Sequence, residues 1–416
     1  MEDQSGLARR LGTTDAVVIG LGSMIGAGVF SAFGPAARAA GAGLLIGLAV
    51  AAAIAYCNAT ASAQLAAVYP TSGGTYIYGR ERLGPWWGFI AGWGFVIGKS
   101  ASCAAMALTV ASYAIPGPQW AQRIIGMGAV LLLIALNYRG VTKTAMLARI
   151  LLACTLIALA AVVIGIAVAK PDPSHLIGSS TGTIYGVLQS AGLLFFAFAG
   201  YARIATMGEE VRDPARTIPK AITLALAIAV AIYLVVGVAA LLAAGPDRLA
   251  HAAAPLAEAV RAAGVGALVP VVTIGAALAS LGALLALIAG LGRTVLAMAR
   301  HHDLPAWLAA VHTRYRVPHH AEVALGVVVC ILVATVDLRG VIGFSSFGVL
   351  IYYAIANASA YTLPASDARR RRILNVCGLA GCLLLVATLP WQPVISGLAV
   401  FVVGIIGRAV ALRRRA

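Results

Sequence analysis

Long apolar runs separated by short polar connections set the pattern of this chain. Twelve such runs cover approximately residues 15–33, 42–68, 86–113, 119–137, 147–168, 183–208, 218–243, 267–299, 321–336, 341–362, 373–389 and 393–411. Nearly all reach the roughly 17–25 residues with which a helix crosses hydrocarbon. None shows the ten-residue segments of alternating polarity that build a membrane barrel. The pattern predicts an all-α integral membrane protein of about twelve transmembrane helices.

The first run is interrupted. Between Gly20 and Phe30 it reads G-L-G-S-M-I-G-A-G-V-F, with glycines at Gly22, Gly26 and Gly28. Each glycine costs about 1 kcal/mol of helix propensity relative to alanine. Broken backbone at membrane depth survives only where it is buried in protein or lines a cavity. Such a break offers amide N–H groups from one half-helix and carbonyls from the other, which suits a zwitterion. A substrate site is therefore expected there.

The sixth run repeats the feature. Phe195 to Val211 reads F-F-A-F-A-G-Y-A-R-I-A-T-M-G-E-E-V, with Gly200 in mid-span, then Arg203 and Glu209-Glu210. Gly200 alone would equally suit close helix packing. Spans one and six, however, each begin a block of five, and paired interruptions at corresponding positions point to an inverted-repeat transporter. The expected organisation is a cytoplasmic segment 1–14, a first five-helix repeat 15–168, a second repeat 183–362, two additional helices 373–411 and a basic tail 412–416. Helices 1 and 6 are the discontinuous ones in this 5+5 inverted repeat.

Composition agrees with the membrane reading. Hydrophobic residues make up 61% of the 416 and charged residues 11%, whereas soluble domains are about 45–50% apolar and about 25% charged. The net charge of +16 is topological. One set of connections carries Arg9, Arg10, Arg80, Arg82, Arg139, Lys143, Arg149, Arg212, Arg216, Lys220, Arg300, Arg314, Arg316, Arg369 to Arg372 and Arg413 to Arg415, with Arg293 and Arg408 near that surface. The opposite set holds Arg38, Arg123, Lys170, Arg248, Arg261 and Arg339. The positive-inside rule then puts both termini in the cytoplasm of a multi-pass protein of the cell (inner) membrane. No nucleic-acid partner is implied; lipid is the surrounding partner, and an anionic-lipid contact by Arg369 to Arg372 is weighed against a plain topogenic signal.

The six cysteines are scattered without a C-x-x-C and read as small packing residues. The first run is too long for a signal-peptide core of about 7–15 residues. Asn58 and Asn357 fit the glycosylation pattern but lie within spans, which discounts it. His301, His302, His312, His319 and His320 share one connection and read as polar loop, since a metal site would need several on one face with a carboxylate. The chain lacks H-E-x-x-H, G-x-S-x-G and G-x-x-x-x-G-K-[ST] motifs, so neither an enzyme nor an ATP motor is indicated. Lys99 and Arg203 are the basic residues deep within spans, where an ionisable group is a functional candidate by default.

The chain resembles the amino acid–polyamine–organocation (APC) superfamily, with its leucine-transporter-type fold, over nearly its whole length. The resemblance is carried by Gly22-Ser-Met-Ile-Gly-Ala-Gly-Val-Phe30, by Phe195 to Tyr201 with Glu209-Glu210, by Asp213-Pro214 to Pro219, and by Ala297-Met-Ala-Arg300 leading into Leu304-Pro305. It implies a substrate site formed by Ser23, Met24, Ile25, Gly26, Ala27 and Gly28 with Phe196, Phe198, Ala199, Gly200 and Tyr201. The α-carboxylate would meet the amides of Ile25 to Gly28, and the α-ammonium the carbonyls of Met24, Phe196 and Ala199. Phe198 or Tyr201 would resemble the aromatic gate.

Two departures stand out. Sodium-independent relatives often place a lysine in span five where this chain has Thr155, and some have a carboxylate after the span-six break where it has Ala202 and Arg203. Lys99 or Arg203 is then the candidate for the fixed or proton-switched charge. The expected function is a secondary active amino acid permease working by alternating access, proton-coupled and needing no cofactor, with sodium not expected. An amino acid or amine exchanger, or a non-transporting membrane sensor, is the alternative. The partner is a small-molecule substrate, an amino acid or amine, and the sequence does not fix which, nor the oligomeric state.

Overall fold

A computed structural model describes residues 11–69, 73–115, 117–139, 145–171, 173–177, 182–205, 211–364 and 368–413. Arg9, Arg10, Lys143, Glu209, Glu210, Arg414 and Arg415 lie outside the described residues. Eleven helical stretches among the described residues are long and apolar enough to cross a membrane: Thr13–Ser31, Phe33–Val68, Pro85–Ala114, Gln119–Tyr138, Met146–Val168, Ile184–Ala205, Pro214–His251, Gly266–Arg300, Leu338–Tyr361, Arg371–Thr388 and Trp391–Arg413. A further apolar helix, His319–Thr335, has 17 residues, the lower end of what crosses hydrocarbon. It lies where the sequence pattern places the ninth of the twelve spans.

Three connections are more helical than the hydropathy pattern suggests. After span one the chain stays helical over Phe33–Ala40 and turns at Gly41, whose φ is 57°. Span seven continues to His251, bent where Gly245 takes φ 68° ahead of Pro246. Proline supplies no N–H for the preceding turn, so the bend falls there. Between spans two and three a short helix, Thr75–Leu83, is bounded by Gly74 and Gly84.

Span three is the axis of the bundle. In its central stretch 94% of residues are buried, against 22% for spans four and twelve. The peripheral helices present Leu131, Leu132, Val402, Val403 and Ile406 outward, as a lipid-facing surface requires. Lys99 sits on the enclosed helix and is itself buried.

On the face carrying the basic connections, polar contacts tie distant segments together. The Arg212 N–H donates to the Leu11 carbonyl at 2.9 Å, holding the residue just ahead of span one against the approach to span seven. In the turn after span eight, the Asp303 carboxylate accepts from Tyr76 Oη at 2.8 Å, Arg80 Nη1 at 2.9 Å and Arg408 Nε at 2.8 Å. The Arg408 guanidinium also lies over the Trp86 ring, 4.4 Å from its centroid. One buried carboxylate thus joins the Thr75–Leu83 helix to spans eight and twelve.

Candidate functional site

The glycine pattern of span one translates into a real interruption. The helix from Thr13 ends at Met24, Ile25 takes φ −80° and ψ 65°, and Gly26 takes φ −113° and ψ −138°. Helical structure resumes at Ala27 and passes through Ala32, itself helical at φ −73° and ψ −22°, to Ala40. In span six the helix Ile184–Phe198 tightens into a 3-10 turn over Ala199–Tyr201 before Ala202–Ala205.

The two interruptions lie against each other. A Cβ added at Gly200 would fall 2.3 Å from the Ser23 carbonyl oxygen and 2.5 Å from the Met24 nitrogen. One added at Gly28 would fall 2.6 Å from the Ala197 Cα. Real side-chain carbons do not approach so closely, so glycine at these two positions lets two backbones cross in contact. Ser23 to Gly28 and Phe196 to Tyr201, separated by some 170 residues of sequence, are thereby brought together.

Side chains from spans three, seven and ten fasten this crossing. The Tyr233 hydroxyl lies 2.6 Å from the Met24 carbonyl and 3.0 Å from the Ala197 carbonyl, so its single proton is shared between the two breaks. Lys99 Nζ donates to the Ala199 carbonyl at 3.0 Å, and Tyr353 Oη approaches the same oxygen at 3.4 Å. Two of the three carbonyls assigned to a substrate ammonium, Met24 and Ala199, therefore hold donors from the protein itself.

The expected aromatic gate residues are both fully buried. Phe198 packs edge-on against Tyr233 with centroids 5.1 Å apart, whereas Tyr201 stacks on Tyr353 at 5.0 Å. Ser23 turns its hydroxyl back to the Ile19 carbonyl at 2.9 Å, and Thr155 does the same to Leu151 at 2.8 Å. Lys99 reaches the crossing; Arg203 lies beyond the turn, half-buried on Ala202–Ala205.

Tyr233 and Tyr353 were not singled out from sequence. Their signal is a tyrosine inside an otherwise apolar span, where a buried hydroxyl needs a partner. Asn58 and Asn357 carry the same signal. Asn357 Nδ2 donates to Asn58 Oδ1 at 2.6 Å and to the Tyr353 carbonyl at 2.8 Å, linking spans two and ten beside the turn. Among the described residues no group of three or more His, Cys, Asp or Glu is placed to hold a metal ion.

Two glycine-broken helices crossing in a buried, polar-lined contact call for comparison with known transporters. Residues 11–407 match the family model described as amino acid permease. The chain belongs to the amino acid permease family. This permease is 60% identical to an uncharacterized transporter of Mycobacterium tuberculosis over 96% of its own length and 90% of that protein's. It is 26% identical to a branched-chain amino acid permease of Bacillus subtilis, over 97% and 93% of the two chains. It is 28% identical to cationic amino acid transporter 4 of Homo sapiens, over 86% and 60%. The protein is a multi-pass membrane transporter for a small-molecule substrate, not an enzyme.

Proposed function

We propose that this permease is a secondary active, proton-coupled amino acid transporter of the cell membrane, with both termini in the cytoplasm. Its substrate binds where spans one and six cross. The α-carboxylate meets the amides at the start of the half-helix that begins at Ala27, where the dipole favours an anion. The α-ammonium goes to the carbonyls of Met24, Phe196 and Ala199. Gly26, Gly28 and Gly200 keep side chains out of the way, and Phe198 and Tyr201 border the site. The two blocks 15–168 and 183–362 are read as the inverted repeats that rock about it.

The observation that carries this reading is the Lys99 contact on the Ala199 carbonyl. An amine from the protein thereby donates to an acceptor proposed for the substrate's ammonium. Two cations about 4 Å apart repel by about 4 kcal/mol at an effective dielectric constant near 20. Substrate binding and the charge of Lys99 are thereby coupled, which is what proton-linked transport requires. Arg203 is the second candidate for that role.

A panel of amino acids, amines and decarboxylated analogues, screened for thermal stabilisation of the purified protein, tests the site. A ligand at about 100 times its dissociation constant adds roughly 2.7 kcal/mol. Stabilisation that disappears with the α-carboxylate is expected; hits confined to amines overturn the carboxylate assignment. Uptake into proteoliposomes after a pH jump, with no amino acid inside, separates symport from obligatory exchange.

A further inference from the structure

We infer that the face opposite the termini carries an anion-binding vestibule, built from Arg38, Arg123 and Arg339, that takes the carboxylate of an arriving amino acid and disfavours cationic substrates. This rests on the permease reading and deepens it by assigning the substrate's charge class.

A cavity of about 270 Å³ opens on that face. Three arginines line it from separate parts of the chain: Arg38 near the end of the half-helix Phe33–Ala40, Arg123 on span four and Arg339 at the start of span ten. One carboxylate, Asp337, stands among them, and its Oδ1 already accepts the Gly340 N–H at 2.9 Å. His251 also lines the cavity, with Nδ1 2.8 Å from the Asp247 carbonyl.

Insertion does not call for this arrangement. Basic residues are sparse on this side, six by the topology above, and half of them surround one cavity. Arg38 and the Asp337 carboxylate both lie close enough to act on Arg339, in opposite senses, and one carboxylate does not offset three guanidinium charges. Like charges held together are disfavoured unless an anion sits between them. Arg339 Nη2 lies 3.4 Å from Gln189 Oε1, while its buried Nε has no hydrogen-bond partner among the described residues. A buried guanidinium N–H without an acceptor is an open donor for a carboxylate.

The cavity also points toward the crossing. Ser31 and Ser112 are among its lining residues, with hydroxyls turned back to the carbonyls of Ala27 at 2.7 Å and Thr109 at 3.0 Å. Ser31 is four residues beyond Ala27, so that part of the lining is about 6 Å along the helix from the break. Phe30 and Tyr113, the neighbours of these serines, are buried and pack edge to face at 5.8 Å. The cavity lining thus runs from Arg38, eleven residues or about 16 Å beyond Ala27 along the helix, to Ser31, about one turn from the amides proposed to bind the carboxylate next. The side-chain ammonium of a lysine-like substrate is repelled by the same three charges.

The test uses the full-length protein and four probes: glutarate, L-glutamate, L-leucine and L-lysine. Glutarate has no α-ammonium for the carbonyls of the crossing, and the part of its binding that the arginine variants remove reports the vestibule. Apparent affinities are read by ligand-induced thermal stabilisation, and uptake of the amino acids is read in proteoliposomes. Wild type is expected to bind glutarate and L-glutamate, more weakly as salt rises, and to bind L-lysine least among the amino acids. The triple variant Arg38→Gln, Arg123→Gln, Arg339→Gln should lose about tenfold or more in affinity for glutarate and L-glutamate, the size of a charge-assisted hydrogen bond. The corresponding triple Arg→Lys variant keeps the charge and should retain most of the preference, which guards against a folding artefact. Unchanged affinities in the glutamine variant, or L-lysine bound as tightly as L-glutamate by wild type, overturn the vestibule. Glutarate bound through the arginines with no amino acid bound or taken up supports the anion site and overturns the permease reading instead.

Discussion

Lys99 Nζ on span three donates to the Ala199 carbonyl, in the turn of span six, at 3.0 Å. The lysine is buried, and a charged group enclosed in a membrane bundle persists only with a partner. Its partner here is unwound backbone at the crossing of the two broken helices. Lys99→Met removes a charge-assisted hydrogen bond of about 1.5–3 kcal/mol between spans three and six and the charge proposed to couple to the substrate. Expected outcome: pH-driven uptake is abolished while membrane insertion, followed by detergent-extracted yield and monodispersity, is intact. Arg203→Met is the parallel variant. Unchanged pH-driven uptake in both would remove these residues from the coupling step.

The glycines of the crossing are not equivalent. At Gly200 and Gly28 an added methyl meets backbone at 2.3 and 2.6 Å, whereas at Gly22 nothing among the described residues lies within 4 Å. Gly200→Ala and Gly28→Ala should each destabilise the bundle by about 1–3 kcal/mol and sharply reduce uptake. Gly22→Ala should raise local helix stability by up to about 1 kcal/mol and leave insertion unaffected. Thermal midpoints of the three purified variants check the ordering. Equal behaviour would mean that the close approach does not constrain the site.

Tyr233 joins the two breaks through one hydroxyl shared between Met24 and Ala197. Tyr233→Phe keeps the ring against Phe198 but deprives a buried pair of carbonyls of their donor. The expected loss is about 1–3 kcal/mol of stability, accompanied by weaker substrate binding in the thermal-shift panel. A variant with unchanged ligand response would show that the hydroxyl serves only packing.

The broken helices were legible in the sequence because Gly26, Gly28 and Gly200 contradict the long apolar runs around them. The helical character of those runs followed from length alone. Less legible were the partners of the break. Tyr233, Tyr353 and Asn357 act through contacts spanning 209, 154 and 299 positions of sequence, and no periodicity encodes which distant carbonyl or amide a polar side chain will find. The helical path through Ala32 to Ala40 was obscured because Gly34, Pro35 and Arg38 read as a connection. The arginines of the vestibule were counted as topology, since charge on a loop carries no record of the cavity it faces.

Asp303 offers a separate test of how the bundle is held on its basic face. Its carboxylate accepts from Tyr76, Arg80 and Arg408, and the Arg80 and Arg408 contacts are ion pairs at 2.9 and 2.8 Å. Arg408 is only 4% exposed in its side chain, so removing the carboxylate strands a buried guanidinium. Asp303→Asn is expected to destabilise the protein by about 3–5 kcal/mol. The paired change Asp303→Asn with Arg408→Leu should recover much of that loss, because the uncompensated charge leaves with its partner. Arg408→Leu alone should cost less than Asp303→Asn, since Arg80 still neutralises Asp303 and the residue's apolar neighbours Trp86 and Phe89 can accept a leucine. A double-mutant cycle on thermal midpoints measures the coupling; additive single effects would reduce the buried pair to an incidental contact.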